Sequence, residues 1–215
     1  MALSTVKLEV VSDVVCPWCY LGKRRLAQAL DQVKGRIDVS VRWRPFQLDP
    51  SVPTAGKPYK ANLAAKFGSM TRVEAAWDRL REFGRADGID FKFENITTMP
   101  NTLDAHRLIA AADLNDLAEP VLDALFKAHF TDGRDLAVRS ELLSIATQAG
   151  LDADTASAAL DDQGLLDATR TSIQQASRMG VTGVPTFIVG RQGVSGAQPV
   201  EVLVSLLERA AQSTH

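Results

Sequence analysis

Residues 6–19 read Val6-Lys7-Leu8-Glu9-Val10-Val11-Ser12-Asp13-Val14-Val15-Cys16-Pro17-Trp18-Cys19. The first half alternates apolar and polar residues, the period of a strand with one buried face. It runs directly into the only two cysteines of the chain, two residues apart. Beyond them, "LGKRRLAQALDQV" sets Leu21, Leu26, Leu30 and Val33 at helical spacing, and Gly35 marks a stop. Then "RIDVSVRW" puts Ile37, Val39, Val41 and Trp43 on one face of a second strand. The first 44 residues therefore predict strand, Cys-x-x-Cys, helix, strand, with the cysteine pair where the strand ends and the helix begins.

Three chemistries compete for such a pair. Structural zinc needs four ligands. There is one pair, and His106, His129 and His215 do not supply the second half, so no metal site is expected. Two inert, packed cysteines are the bland alternative, and chance placement of the only two on a strand-to-helix turn argues against it. Redox exchange has a mechanism at this position. Unpaired N–H groups and the helix dipole favour negative charge on the residue at the helix start. Cys16 is that residue and is expected to attack a disulfide; Cys19, one turn on, displaces the bound half. Pro17 suits the first helical position, where its missing N–H costs nothing.

Composition narrows the rest. The chain has 215 residues and 24 Lys+Arg against 26 Asp+Glu, for a net charge of -2. No basic tract suggests nucleic-acid binding. No apolar run approaches the roughly 20 residues of a membrane span. "MALSTVKLEVVSD" lacks the basic and apolar regions of a secretory signal, so a cytoplasmic location is expected. A purely structural disulfide would be out of place there.

After the Pro- and Gly-rich "RPFQLDPSVPTAGKP", residues 59–179 are dominated by Ala and Leu at helical spacing. Five or six helices and no convincing strand are predicted there. Ser140 is expected to cap one, Asp152 or Asp154 another, and "GIDFKFEN" reads as an extended loop. The strand pattern returns in "VPTFIVG" and "GVSG", before a closing helix with Pro199 near its first turn. The organisation is βαβ, a helical insert, then ββα. Residues 1–55 and 180–215 are expected to form one domain and 56–179 the helical insertion.

On Cys-Pro-Trp-Cys at the head of the first helix, and "GVTGVPTF" before the late strand, the chain resembles the DsbA family of thioredoxin-fold thiol oxidoreductases. "SDVVCPWCYLGKRRL", "WRPFQLDP", "PNTLDAHRL", "FTDGRDL" and "GVSGAQPVEVL" resemble its cytosolic FrnE-type branch. The resemblance implies an α/β thioredoxin fold with a large helical insertion, thiol:disulfide exchange, and a cis Val184-Pro185 bond facing the cysteines. It implies no bound cofactor beyond the redox-active Cys16–Cys19 disulfide. Glutathione is a candidate co-substrate, and protein or low-molecular-weight disulfides and thiols are the candidate partners. A monomer and a homodimer both fit.

The related 2-hydroxychromene-2-carboxylate isomerases and kappa-class glutathione transferases share the insert and the proline loop. They carry Ser where this chain has Cys16 and lack the second cysteine. A glutathione-dependent isomerase or transferase is therefore the alternative function.

Further candidates for substrate contact are Pro17 and Trp18 in the motif, and the Val184–Pro185 backbone, which can pair with an extended peptide or glutathione. By the same resemblance Asn101 and Thr102 overlie the site, with His106 as a proton carrier. Free N–H groups near Gly196–Gln198 would hold a carboxylate. Against these stand ordinary helix capping and a structural histidine. Lys23, Arg24 and Arg25 read as a solvated helix face. Trp18 replaces the His between the cysteines of DsbA, which predicts a redox potential between those of thioredoxin and DsbA.

Overall fold

The computed structural model describes residues 4–213. Nine residues of strand β1 (Ser4–Ser12) feed helix α1 (Pro17–Val33), which returns through β2 (Ile37–Pro45). At the far end of the chain lie β5 (Thr186–Val189), β6 (Gln192–Ser195) and α9 (Val200–Gln212). The four long strands form one sheet in the order β2-β1-β5-β6. β1 and β2 run parallel, Val10 beside Trp43; β1 and β5 run antiparallel, Val10 beside Phe187. Central β1 is buried on both faces. Val6, Leu8 and Val10 pack with Leu26, Ala29 and Val33 of α1 and Leu203, Leu206 and Leu207 of α9. Val11 faces the other way, onto Ala176 and Val181.

Between the two halves of the sheet the chain builds seven α-helices where five or six were expected. They are α2 (Tyr59–Phe67), α3 (Met70–Ala86), α4 (Leu103–Asp113), α5 (Ala118–Phe130), α6 (Arg139–Gln148), α7 (Ala153–Asp161) and α8 (Gln163–Arg178). The break expected after the short segment ending near Leu160 falls at Asp162, whose carboxylate accepts the N–H groups of Gly164 and Leu165 and starts α8 one residue after α7. The Asp152 carboxylate caps α7 through Thr155 N–H at 2.9 Å. Ser140 is not a cap: α6 begins at Arg139, and Asp135 organises its entry by accepting Ala137 N–H. Two short strands also interrupt the insert. β3 (Lys57–Pro58) pairs antiparallel with β4 (Thr98–Met99), too briefly for a period-2 pattern to register. Within "GIDFKFEN", Phe93–Asn95 closes into a 3₁₀ turn.

The helices share a second core, and α1 belongs to it as well. Its Cys19, Tyr20 and Leu21 turn into the helical cluster. Tyr20 stacks on Phe126 at 5.0 Å and 6°, and meets Phe91 edge-on. Rings continue from Phe91 to Phe93 (5.0 Å), Trp77 (5.3 Å) and Tyr59 (6.1 Å). Pairs of this kind add about 0.5–1.5 kcal/mol each beyond their buried area. The basic face of α1 is not solvated throughout. Lys23 is only 4% exposed and its ammonium meets Glu119 at 3.0 Å and Asp123 at 3.1 Å, both on α5. No helix among the described residues is long and apolar enough to cross a membrane.

His129 is buried in this core against Tyr59 and Phe130, and neither ring nitrogen has a hydrogen-bond partner among the described residues. Burial lowers its pKa from 6.5 to about 4, partly opposed by Asp13 and Asp135. The folded state therefore resists a proton that the unfolded chain accepts. Its stabilising contribution is complete above pH 6.5 and falls as pH drops toward 4, by up to about 3 kcal/mol. Urea titrations at pH 7.5 and 4.5 should show this loss in the wild type. The same pair of titrations on His129→Leu should show it reduced by about that amount.

Candidate active site

The site begins with the end of β1. Once past Ser12 the chain turns, and Cys16 N–H donates to Asp13 C=O at 3.0 Å. Cys16 then caps α1 in an extended conformation with Pro17 as the first helical residue. Asp13 is 1% exposed and holds this turn. One carboxylate oxygen accepts Leu48 N–H at 2.8 Å; the other lies 3.3 Å from His106 Nε2. Only the first of these oxygens is hydrogen-bonded; the second is buried with no hydrogen-bond partner among the described residues.

Both cysteines are free thiols, yet they face different surroundings. Cys16 opens onto a cleft of about 790 Å³. Cys19 is 1% exposed and does not line it. Burial pushes the Cys19 thiol well above the usual range, and the Cys16 sulfur beside it adds to the rise. The Asp13 N–H and the Ser12 hydroxyl pull the other way.

The far wall of the cleft carries Gly183 and Val184. The Val184-Pro185 peptide bond is cis. Cys16 Sγ sits 3.5 Å from Val184 C=O, in position to donate its thiol proton there. The opposite wall comes from the insert: Tyr59, Leu63 and Phe67 of α2, then Val73, Trp77 and Leu80 of α3. Pro17, Trp18 and Thr102 complete it, with Asp49, Asn62 and Lys66 as polar members. A mostly apolar concavity of this size suits a ligand with a large hydrophobic part. Trp18 stands half out of the protein, packed on Phe83 at 5.9 Å. Arg25 covers the same Phe83 ring, bonds Asp87 at 2.8 Å and donates to Ala197 C=O at 2.7 Å.

A thioredoxin-type βαβ…ββα sheet, a Cys-x-x-Cys helix start and a cis-proline loop thus meet at one point. A family model described as a DSBA-like thioredoxin domain matches residues 7–208. The chain belongs to the DSBA-like thioredoxin domain family. A probable DsbA oxidoreductase of Streptomyces coelicolor superposes on this DSBA-like chain with a TM-score of 0.88 at 36% identity, covering 95% of this chain and 89% of that one. The uncharacterized protein YwbO of Bacillus subtilis is 28% identical over 199 residues, 92% of this chain and 94% of its own. A cytosolic disulfide reductase of Pseudomonas aeruginosa, DsbM, solved with glutathione, shares the fold at a TM-score of 0.67 and 22% identity, covering 96% and 100%.

Not every residue singled out from the sequence reaches the DSBA-like cleft. Pro17, Trp18, Thr102 and Val184 line it with Cys16. Asn101 does not: its Oδ1 accepts Leu103 N–H and Gln47 Nε2–H, and its amide donates to Val52 C=O. It clasps the loop before α4. His106 turns its Nε2 to Phe46 C=O at 2.8 Å and to Asp13, away from the cleft. In the Gly196–Gln198 stretch two of the three N–H groups are engaged within the chain. Gly196 N–H donates to Pro185 C=O and Gln198 N–H to Gly196 C=O. Trp77 and the Phe residues read from the sequence as core or cleft lining, and Trp77 and Phe67 do line the cleft, as does Tyr59, which the sequence did not single out. All three lie in ordinary amphipathic helices, where nothing local separates core from cleft.

Gly22 is the close-approach point between α1 and the proline loop. A Cβ there would meet Pro185 Cγ at 2.9 Å and Phe187 Cζ at 3.2 Å. Gly22→Ala should therefore push the loop off Cys16 despite its better helix propensity, at a net cost of about 1–2 kcal/mol. Denaturant midpoints should fall, and alkylation of Cys16 should change rate relative to wild type.

Proposed function

We propose that the chain is a thiol:disulfide oxidoreductase in which Cys16 is the nucleophile and Cys19 the resolving thiol. The observation that carries this reading is the asymmetry of the pair. One thiol faces the substrate cleft and the other stands behind it on the same helical turn. Cys16 thiolate attacks a substrate disulfide, forming a mixed disulfide and releasing one thiolate. Cys19 thiolate then attacks Cys16 Sγ, releasing the second. Two electrons pass from the cysteine pair to the substrate, which leaves as two thiols. No bound cofactor is needed; the Cys16–Cys19 couple is the redox group.

The cleft supports a disulfide with an apolar body, on a protein or a small molecule. Glutathione as the partner that returns electrons finds support in the Pseudomonas aeruginosa reductase solved with it. In a cytoplasmic setting the glutathione pool holds such a couple reduced, so it works there as a reductase or isomerase.

Equilibration in graded reduced and oxidised glutathione, acid trapping and intact mass should show cooperative loss of two protons. The midpoint should lie between about -270 mV and about -120 mV, the values of thioredoxin and DsbA. Cys19→Ser should instead accumulate one stable glutathione adduct on Cys16, and Cys16→Ser should form no Cys16-type adduct. A single stable adduct on the wild type, with no internal disulfide, would overturn the reading in favour of glutathione-dependent isomerase or transferase chemistry.

A further inference from the structure

Away from the cysteine cleft, and sharing no lining residue with it, a second cavity of about 230 Å³ lies between β2 and helices α4, α5 and α8. Most of its wall is apolar, including Trp43 of β2, Ile109 of α4, Leu122 of α5 and Leu165 of α8. Pockets for drug-sized ligands run to roughly 300–1,000 Å³, so this one has room for a single ring and little more. Leu114 lines it too and is 85% exposed, so the entrance is apolar at its edge.

Charge at the entrance comes in both signs. Arg42 of β2 and Asp113, the last residue of α4, line the cavity and are exposed. Neither side chain has a hydrogen bond or ion pair among the described residues, with each other or with anything else. Arg44 beside them is already taken by Glu9 at 2.6 Å. The C-terminal end of α4 adds partial negative charge next to Asp113. The interior has one unmet group as well. Ser12 lines the cavity at 4% exposure, and its Oγ has no hydrogen-bond partner among the described residues. The other buried polar side chains there are engaged: Thr169 donates to Leu165 C=O at 2.8 Å, and His106 Nε2 lies 2.8 Å from Phe46 C=O. Buried polar groups in native proteins are nearly always paired, so an open one in a cavity points to an occupant.

These features select among small molecules. A simple carboxylic acid would meet Arg42 and be repelled by Asp113; a simple amine would do the reverse. A zwitterion answers both, a single ring fills the space between the apolar walls, and a hydroxyl on that ring answers Ser12. We propose that the cavity binds a free aromatic α-amino acid with a ring hydroxyl, tyrosine being the simplest case. The carboxylate pairs with Arg42 and the ammonium with Asp113 at the entrance. The ring packs among Trp43, Ile109, Leu122 and Leu165, with its hydroxyl toward Ser12 Oγ. Both charged groups of the amino acid must be free, so the same residue inside a peptide chain does not fit. Binding is non-covalent, and the site stands whether or not the cysteines act as an oxidoreductase.

The test is equilibrium dialysis of the full-length protein against radiolabelled L-tyrosine, with competition by analogues. L-Tyrosine should saturate a single site. Tyramine lacks the carboxylate and N-acetyl-L-tyrosine lacks the ammonium. Each should compete at least tenfold less well, the loss expected for one charged hydrogen bond. L-Phenylalanine should compete about fivefold less well, the share of one neutral hydrogen bond. Arg42→Gln and Asp113→Asn should each weaken tyrosine binding at least tenfold, and Ser12→Ala should erase the advantage of tyrosine over phenylalanine. Both charge substitutions are on the surface and should leave the urea midpoint where it is. A bulky maleimide on Cys16 should leave binding intact, which separates this cavity from the cleft. The proposal is overturned by no tyrosine bound up to its solubility limit, by full affinity in either charge variant, or by tyramine or N-acetyl-L-tyrosine competing as well as tyrosine. It is equally overturned by a preference for tyrosine that survives Ser12→Ala, or by loss of binding in the maleimide adduct. Failure of the glutathione equilibration would instead sink the oxidoreductase reading and leave this site untouched.

Discussion

Helix α1 is packed on two sides, and the rest of the site follows from that. Leu26, Ala29 and Val33 anchor it to the sheet, while Tyr20 and Leu21 anchor it in the helical core. Burying each large apolar side chain contributes on the order of 1.5–3 kcal/mol, so neither contact yields easily. The helix start is thereby fixed where the two cores meet. Lys23, bound to Glu119 and Asp123 of α5, and Arg25, bound to Asp87 and Ala197 C=O, fasten the same helix to the insert and to the chain before α9. Cys16 inherits a fixed position from these contacts, and a reactive thiol in fixed register with a backbone carbonyl is what disulfide exchange requires.

The two thiols of one motif are made unlike by what lies around them. Three residues of helix are enough to carry the chain from the cleft to the interior. Cys16 meets a large apolar opening and the Val184 carbonyl. Cys19 meets packed side chains, the Asp13 N–H and the Ser12 hydroxyl. Burial opposes charge on Cys19. Under the proposed function, a substrate in the cleft would therefore meet Cys16 first.

What could be read from the sequence was local. The alternation in β1, the spacing in α1 and the Cys-x-x-Cys between them depend on neighbours a few residues apart, and the structure has them within a residue or two of the expected bounds. Where the partner is distant, side-chain chemistry alone misleads. Lys23 carries the composition of a surface helix, and only the fold brings Glu119 and Asp123 of α5 to it. His106 has the chemistry of a proton carrier near the motif, yet α4 delivers it to the back of Asp13. Asn101 looked available because its three bonding partners, Gln47, Val52 and Leu103, are set by loop packing. The cleft wall was legible only as a choice between core and cleft lining, for the same reason. Tyr59 and Trp77 obey the periodicity of any buried helix, and that one edge of their stripe borders a thiol is a property of tertiary placement.

The little β3–β4 ladder has a wider consequence. Two residue pairs, Lys57 with Met99 and Pro58 with Thr98, together with the Tyr59 N–H to Thr97 C=O bond, close the neck of the excursion that carries α2 and α3. At that neck Gly56 has a positive φ, and a Cβ there would strike the Thr98 side chain. The excursion supplies much of one wall of the cleft, whereas the cysteines and the cis-proline loop hang from the sheet. Under the proposed function, chemistry and ligand choice would thus sit on separable stretches of chain: exchanging the residues between 59 and 97 would reshape the cleft wall and leave the cysteines and the proline loop in place.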